Sequence, residues 1–401
     1  GKDRLLIFAD SRQDAAHQAR FIRFTGRYDR MRGRVYALLR QHGALKMQRL
    51  TEQLGEAAVR THDNPFLPAD PNVAVRGETR ERVRAWEEAP VLDQLSANAN
   101  YRGTLVNLGL IQVRYSELDE HVRERGGELA HQLGVSTDQL VHVCRCVLDD
   151  MRTHSALSRQ LLQYHPSFVG YPETLRASEW ERSVKAPAGY MCDRDGRPTN
   201  LLDRDEVAYG ITVRSIARSA TNRGRAPAIQ RIVAELVRRY GGAQVTPNEA
   251  LAVVEFLRLA GFVQPVELFG FRSSHSLLQV NAEEVELLPT TDATRSRCGV
   301  CMRACAGAMN GAPCPACHGT IQPWPSAEFA TSRAVRRVLE GAVVPLDAGE
   351  HTAQVPAAVR KDLETDFKNK DESLNVLACS PTLEMGIDVG GLEAVAMRNI
   401  P

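Results

Sequence analysis

Short, almost wholly apolar runs stand near both ends of the chain. Arg4 to Ala9 contains LLIF, followed by the polar stretch Asp10-Ser11-Arg12-Gln13-Asp14 and then by helix-like Ala15 to Phe24. A strand with no polar face, feeding directly into a helix, is what a parallel sheet covered on both sides requires. The far end repeats the arrangement. Ala357 to Phe367 has helical periodicity, and Leu374 to Ala378 and Glu393 to Met397 read as strands. The predicted fold class is therefore α/β, a parallel-sheet lobe assembled from residues 1–25 and 335–401 and split by what lies between. The chain begins and stops on core strands, which points to a piece of a longer protein.

The middle of the chain has a different rhythm. Arg32 to Gln41, Leu45 to Leu54, Thr79 to Leu95 and Glu117 to Asp150 carry helical spacing. Thr61 to Gly77, Tyr164 to Pro172 and Ala186 to Asp205 carry loop and breaker residues. Residues 26–205 are thus predicted to form a mainly helical insertion. Residues 206–290 are more legible. Ile229, Ile232, Val233, Leu236, Val237 and Tyr240 share one helical face, and Gly241-Gly242 ends it. Thr246-Pro247-Asn248-Glu249 is a capping box with proline at the first helical position. That helix runs to about Ala260, where Gly261 supplies a left-handed stop. Strand-like runs follow at Phe262 to Leu268 and Leu277 to Val285. Helices followed by a two-stranded wing resemble a winged-helix module; a small α+β packing domain gives the same pattern.

Residues 291–325 hold the clearest chemical signal. CGVCMRACAGAMNGAPCPACHG places Cys298 and Cys301 in one C-x-x-C pair and Cys314 and Cys317 in another. Each pair turns tightly enough to aim two sulfurs at one ion, and two pairs complete a tetrahedron, the arrangement of a four-thiolate zinc site. Four thiolates close the coordination shell, so the expected role is a structural staple, or a docking knob for nucleic acid or protein. Cys305 and His318 are spare candidates. Cys314-Pro-Ala-Cys317-His318 also fits the c-type haem attachment spacing, but haem leaves Cys298 and Cys301 without a purpose. Cys144, Cys146, Cys192 and Cys379 read as buried or free thiols.

Composition changes the picture little. The 401 residues are 43% apolar and 25% charged, as in an ordinary globular protein, with a formal net charge of +1. A nucleic-acid surface must then be a local basic patch inside a neutral average. There is no apolar run long enough for a membrane span and no secretory leader, which favours a cytoplasmic protein without membrane partners. Nine cysteines in that setting favour metal over disulfides.

The two ends carry a family resemblance. FADSRQD (Phe8 to Asp14) looks like motif IV of the second RecA-like domain of superfamily 2 helicases, GEHTAQ (Gly349 to Gln354) like the strand-end motif that follows it, and SPTLEMGID (Ser380 to Asp388) like motif V. The likeness is greatest to a bacterial branch of large DEAD/DEAH-type helicases that includes the Mrf-type DNA-repair helicase and helicases of phage-defence systems such as Druantia and DISARM. It covers about a quarter of the chain, all at the ends. The resemblance implies a RecA-like lobe that shares ATP and Mg2+ with a first lobe and moves along nucleic acid, DNA in this branch, with repair or defence proteins as partners. It also implies that Gly386 and Asp388 face ATP, and that Ser11, Arg12, His351, Thr352 and Thr382 face the nucleic-acid strand. Taken singly, hydroxyl and carboxylate residues after a strand are commonly helix caps, and a lone histidine commonly packs.

The insertion sets the chain apart within the family, and two motifs that the resemblance assigns to a first lobe are absent. More than 300 residues separate motifs IV and V, which are close together in most members. No G-x-x-x-x-G-K-[ST] loop and no D-E-x-[DH] motif is present, so this piece is not expected to hydrolyse ATP alone. The rival expectation is a non-motor DNA-binding or adaptor module that uses the wing and the zinc knuckle; a third is an insertion that only joins protein partners.

Overall fold

The computed structural model describes residues 4–64, 66–68, 70–96, 103–157, 188–199, 206–208, 211–218, 225–266, 277–340, 346–369, 374–380 and 394–397. In chain order the elements begin with β1 (Leu5–Phe8), α1 (Arg12–His42), β2 (Leu45–Lys46), α2 (Met47–Thr61), α3 (Gly77–Ser96), β3 (Ile111–Tyr115), α4 (Leu118–Arg125), α5 (Gly127–Leu133) and α6 (Thr137–Thr153). They continue with β4 (Ala188–Met191), β5 (Glu206–Ala208), β6 (Ile211–Arg214), α7 (Ala228–Arg239), α8 (Pro247–Leu259), β7 (Val263–Val266), β8 (Leu277–Val280) and β9 (Val285–Pro289). Last come β10 (Ser296–Cys298), β11 (Ile321–Pro323), α9 (Ser326–Phe329), α10 (Arg333–Leu339), β12 (Ala348–His351), α11 (Ala357–Lys368), β13 (Val376–Cys379) and β14 (Ala394–Met397). The chain divides into two compact units, residues 1–33 with 337–401, and residues 34–336.

The first unit is built on a four-stranded sheet of order β12-β13-β1-β14 in which every pairing is parallel. Pleating sends alternate side chains to opposite faces. Ile7, Ala348, Val376 and Ala378 point to one face, where Ala15 and Ala19 of α1 cover them. Leu6, Leu377 and Cys379 point to the other, where Phe367 and Leu363 of α11 cover them. With both faces dry, neither strand face can be polar, which is why LLIF and VLAC read as unbroken apolar runs. The glycine of β12, Gly349, sits where a Cβ would lie 3.0 Å from Leu363 and 3.3 Å from Leu374, so the sheet and α11 meet closely there.

One difference from expectation lies in α1. The two helical segments anticipated, Ala15 to Phe24 and Arg32 to Gln41, are one helix of 31 residues, with Gly26 and Gly33 inside it. Interior glycine costs only about 1 kcal/mol relative to alanine, too little to break a helix with so many good formers. A Cβ at Gly26 would collide with the backbone oxygen of Leu346, which gives that glycine its own reason.

The second unit is less helical than its sequence suggests. It contains three sheets among the described residues: β2-β9-β3, β10-β11, and β5-β6-β4-β8-β7. Its central helix is α6, opened by a capping box between Ser136 and Gln139 and buried along Leu140, Val143, Cys144, Val147, Leu148 and Met151. The helix pair foreseen from periodicity is present as α7 and α8. Ile229, Val233, Leu236 and Val237 are buried, Thr246 and Glu249 cap each other's backbone, and Gly261 has φ +84°.

The strands after α8 behave differently from a free wing. β7 and β8 pair antiparallel as a hairpin, but β8 also pairs with β4, which lies in the stretch expected to be a polar loop. Gly189 permits this, since a Cβ there would lie 2.5 Å from that of Leu277. The run Leu277 to Val285 does not continue as one strand. Asn281 caps a single 3-10 turn at Ala282–Glu284, and the chain then enters β9, in another sheet, between β2 and β3. The breaker expected at Tyr164 to Pro172 lies outside the described residues.

Candidate metal centre and nucleic-acid interface

The two C-x-x-C turns close on one another across the β10–β11 pair, in which Cys298 is opposite Ile321. The sulfurs of Cys298, Cys301, Cys314 and Cys317 all lie within 4.8 Å of one another. Cys298 and Cys317 are 3.4 Å apart and Cys301 and Cys314 are 3.8 Å apart. A tetrahedral zinc ion with bonds of about 2.3 Å separates its sulfurs by about 3.8 Å, so these residues fit the ion they were expected to hold. Cys305 and His318 stand outside the four-sulfur group.

The backbone prepares these sulfurs for a negative charge. The N–H groups of Val300 and Cys301 approach Cys298 Sγ at 3.4 and 3.5 Å, that of Ala316 approaches Cys314 Sγ at 3.4 Å, and that of Gly319 approaches Cys317 Sγ at 3.3 Å. Burial by itself raises the Cys298 thiol, but the Cys301 and Val300 N–H groups and the neighbouring thiols outweigh it and bring it down to about 7. Burial and the other thiols push Cys301 up to about 12, while Cys305 and burial push Cys314 up. Without a cation the group holds one thiolate easily and resists the rest, as expected of four thiols sharing one small space.

Three side chains from the helices of the same unit grip this module. Arg239, the last residue of α7, donates through Nη1 to the carbonyls of Cys317 at 3.2 Å and Cys314 at 3.5 Å. Through Nη2 it donates to those of Gly319 at 3.0 Å and His318 at 3.1 Å. His142 of α6 is buried, with Nε2 3.1 Å from the Pro313 carbonyl, and burial lowers its pKa to about 4. Arg145, one turn on, donates to the Gly307 carbonyl at 2.5 Å and pairs with Asp119 at 2.8 Å. The module is therefore built into its unit. Sequence alone marked none of these three; an arginine in the last turn of a helix signals only that it meets some carbonyl.

The second group of expected residues gathers at the carboxyl edge of the parallel sheet. Register sets Phe8 and His351 each opposite Cys379, so Ser11, Arg12, Thr352 and Ser380 all follow strands that end at one level. Their side chains are placed unequally. Ser11 accepts the Asp14 N–H at 3.1 Å and donates to the Asp14 carboxylate at 2.8 Å, acting as the cap of α1. Arg12 is exposed. His351 and Thr352 are buried. His351 Nε2 lies 2.7 Å from Glu364 of α11, and its Nδ1 has no hydrogen-bond partner among the described residues. Thr352 donates to Glu350 at 2.8 Å and accepts from the Gln354 N–H at 3.4 Å. Thr382, Gly386 and Asp388 lie outside the described residues.

Comparison with known proteins adds one relationship. The chain is similar to Druantia protein DruE of Escherichia coli (strain UMEA 4076-1), with 27% identity over 128 residues, a stretch that makes up 26% of this chain and 7% of that protein. No family model matches the chain. No solved structure matches it. No helix among the described residues is long and apolar enough to cross a membrane.

Proposed function

We propose that this chain is the second RecA-like lobe of an ATP-dependent nucleic-acid translocase or helicase, acting on DNA, with a zinc-stapled insertion. The lobe comprises residues 1–25 and 335–401; the insertion has a helical part (26–205), a winged-helix-like part (206–290) and a zinc part (291–325). One observation carries the reading. The motif IV residues, the strand-end motif and the start of motif V follow neighbouring parallel strands that end at the same level. That edge is where ligands bind in open α/β sheets.

In this reading Arg12 and the N–H groups at the start of α1 meet phosphates of the strand. Because the His351 and Thr352 side chains are buried, positions 351 and 352 make their contact through backbone, and the His351–Glu364 pair holds that backbone still. Thr382 joins them on the strand side, and Gly386 and Asp388 face ATP and Mg2+, which this lobe shares with one carrying a P-loop. Hydrolysis then opens and closes the cleft between lobes and moves the strand-holding edge by steps. The likeness to Druantia protein DruE agrees with a place in the phage-defence branch, with defence or repair proteins as partners.

The test is ATP turnover by the full-length protein with and without single-stranded DNA. Strong stimulation by DNA, lost together with ATP-driven movement in Asp388→Ala, is the expected result. Turnover indifferent to DNA, or unwinding unchanged in Asp388→Ala, overturns the reading.

A further inference from the structure

A cleft of about 370 Å³ opens in the second unit between the end of α1 and α2. That volume lies in the range of roughly 300–1,000 Å³ that small-ligand sites occupy. The short β2 joins the two helices, so His42, which ends α1, and Arg49, in the first turn of α2, stand at the joined end. Arg49, Gln53, Glu56 and Arg60 succeed one another at spacings of four, three and four, which puts them on one face of α2. Arg49 and Arg60 are thus about three turns apart, about 16 Å along the helix axis. Leu38 and Ala57 supply apolar wall between them.

The charges around this cleft are unequally used. Glu52 accepts from Arg84 of α3 at 2.6 Å, and Glu56 from Arg80 of α3 at 3.0 Å. Both acids are therefore neutralised by arginines that do not line the cleft. The cations that do line it keep capacity to spare. Arg49 meets Glu52 through Nη1 alone, at 3.3 Å, and is 64% exposed. Arg60 has no hydrogen-bond or ionic partner among the described residues, and neither have the side chains of Gln41 and His42. The carbonyl oxygen of Gln53 is buried without a donor. An unpaired buried acceptor is costly, and a turn of the carboxamide towards a donor in the cleft would relieve it.

The cleft thus offers a cation at each end, with apolar wall and two unengaged carboxamides between. A simple anion would use one end only, and an apolar molecule only the wall. A nucleotide within a strand uses all of it: a phosphate on either side, and between them a flat base whose edge both donates and accepts. A carboxamide matches such an edge, and the guanidinium fork matches phosphate. The bases that can enter a cleft in this way are those of a single strand, which are free to unstack.

We infer that the cleft between α1 and α2 seats one unstacked nucleotide of a single DNA strand, with Arg49 and His42 on one flanking phosphate, Arg60 on the other, and Gln41 and Gln53 at the base edge. The inference rests on the proposed nucleic-acid function and adds to it a contact made by the second unit. A free nucleoside monophosphate shares this chemistry, but it brings one phosphate to a cleft with cations at two ends.

The test is equilibrium binding of the full-length protein to oligo(dA) and oligo(dT) single strands, to the duplex they form, and to deoxyadenosine monophosphate, across a salt series. Arg49→Gln/Arg60→Gln should lower the slope of log affinity against log salt on single strands by about 1.4, at about 0.7 per lost phosphate contact, and leave the duplex slope unchanged. Ala57→Trp, which fills the cleft without removing a charge, should weaken single-strand binding about 10-fold, the equivalent of one charge-assisted hydrogen bond. Arg125→Gln/Arg194→Gln, exposed arginines elsewhere in the same unit, should move neither quantity. Should the tryptophan variant fail to fold, the exposed arginine pair decides alone. Single-strand binding unchanged in the cleft variants, with DNA-stimulated ATP turnover intact, overturns the inference and leaves the proposed function standing. A loss on duplex as large as that on single strands marks a general charge effect and also overturns it. Binding of the monophosphate that the cleft variants abolish, with strand binding unmoved, overturns the strand as the occupant. No strand binding by the wild type overturns both readings.

Discussion

Arg239 reaches from the end of α7 to the carbonyl oxygen of Cys317 at 3.2 Å, and the same guanidinium also meets the carbonyls of Cys314, His318 and Gly319. A four-thiolate zinc centre has a net charge of about −2, so a cation bound to the knuckle backbone both shapes the turn and offsets that charge. Arg239→Ala should speed zinc release to a chromogenic chelator by roughly 10-fold, within the range for partners of metal ligands. Arg239→Lys should not restore it, because an ammonium cannot span four carbonyls as the planar fork does. Equal release rates in wild type and Arg239→Ala would remove the clamp from this account.

Elemental analysis of the purified chain should find one zinc per molecule, and Cys298→Ser or Cys314→Ser should lose it. Stripping the metal should lower the melting temperature of the second unit while leaving the first unit's transition in place. Binding free energy at such a centre is folding free energy, since the unfolded chain has no preformed site. Persistence of stoichiometric zinc in the double variant Cys298→Ser/Cys314→Ser would place the ion elsewhere.

The buried His142 gives a pH dependence whose direction is determined by its shift. Burial lowers its pKa in the folded protein to about 4, from about 6.5 unfolded. The unfolded chain therefore binds the proton more readily between those values, and stability is full above about pH 6.5 and falls as pH drops towards 4. The loss approaches roughly 3 kcal/mol at the low end. His142→Gln keeps a donor for the Pro313 carbonyl without taking up a proton, so its denaturation midpoints should fall less steeply over that window. Zinc loss in acid is common to both proteins and cancels in the comparison. Parallel curves for the two would show that His142 does not govern the transition.

In the sheet lobe, Gly349→Ala is expected to cost about 1–3 kcal/mol, the usual penalty for overpacking, because the new methyl enters the contact between β12, Leu363 and Leu374. Gly33→Ala, with open space around its Cβ, should instead be neutral or slightly stabilising through helix propensity. Denaturant midpoints for the two variants, measured side by side, check both signs.

What could be read from the sequence was whatever is encoded locally. LLIF and VLAC announce strands of a covered parallel sheet because nothing in them faces water, and they pair as such. The Thr246–Glu249 box lies within one helical turn, and two C-x-x-C turns need only meet once to make a tetrahedron. The insertion's sheets were harder to read. β3 shows its alternation only over Ile111–Tyr115, and β4 has four residues, one of them a glycine chosen by its neighbour Leu277. Arg239, His142 and Arg145 were invisible for the same reason: their partners are carbonyls 75 or more positions away, and a carbonyl has no side-chain signature. At the sheet edge, sequence named Ser11, Arg12, His351 and Thr352 together; the common tendencies of a serine after a strand to cap and of a lone histidine to pack are what Ser11 and His351 follow, whereas nothing marked Thr352 for burial.

The position of β1 within the sheet also has a consequence in time. Leu5 pairs with Val376 and with Ala394, residues that leave the ribosome more than 360 positions later. At about 5–20 residues per second, LLIF waits roughly 20 to 75 s for either neighbour. During synthesis it is an apolar strand that still lacks both of these neighbours, the kind of segment that associates with its like. Charged residues bracket it on both sides, Asp3 and Arg4 before and Asp10 after, where gatekeepers against such association are found. The insertion thus lengthens an interval in which the nascent lobe depends on those charges, or on a chaperone, to remain soluble.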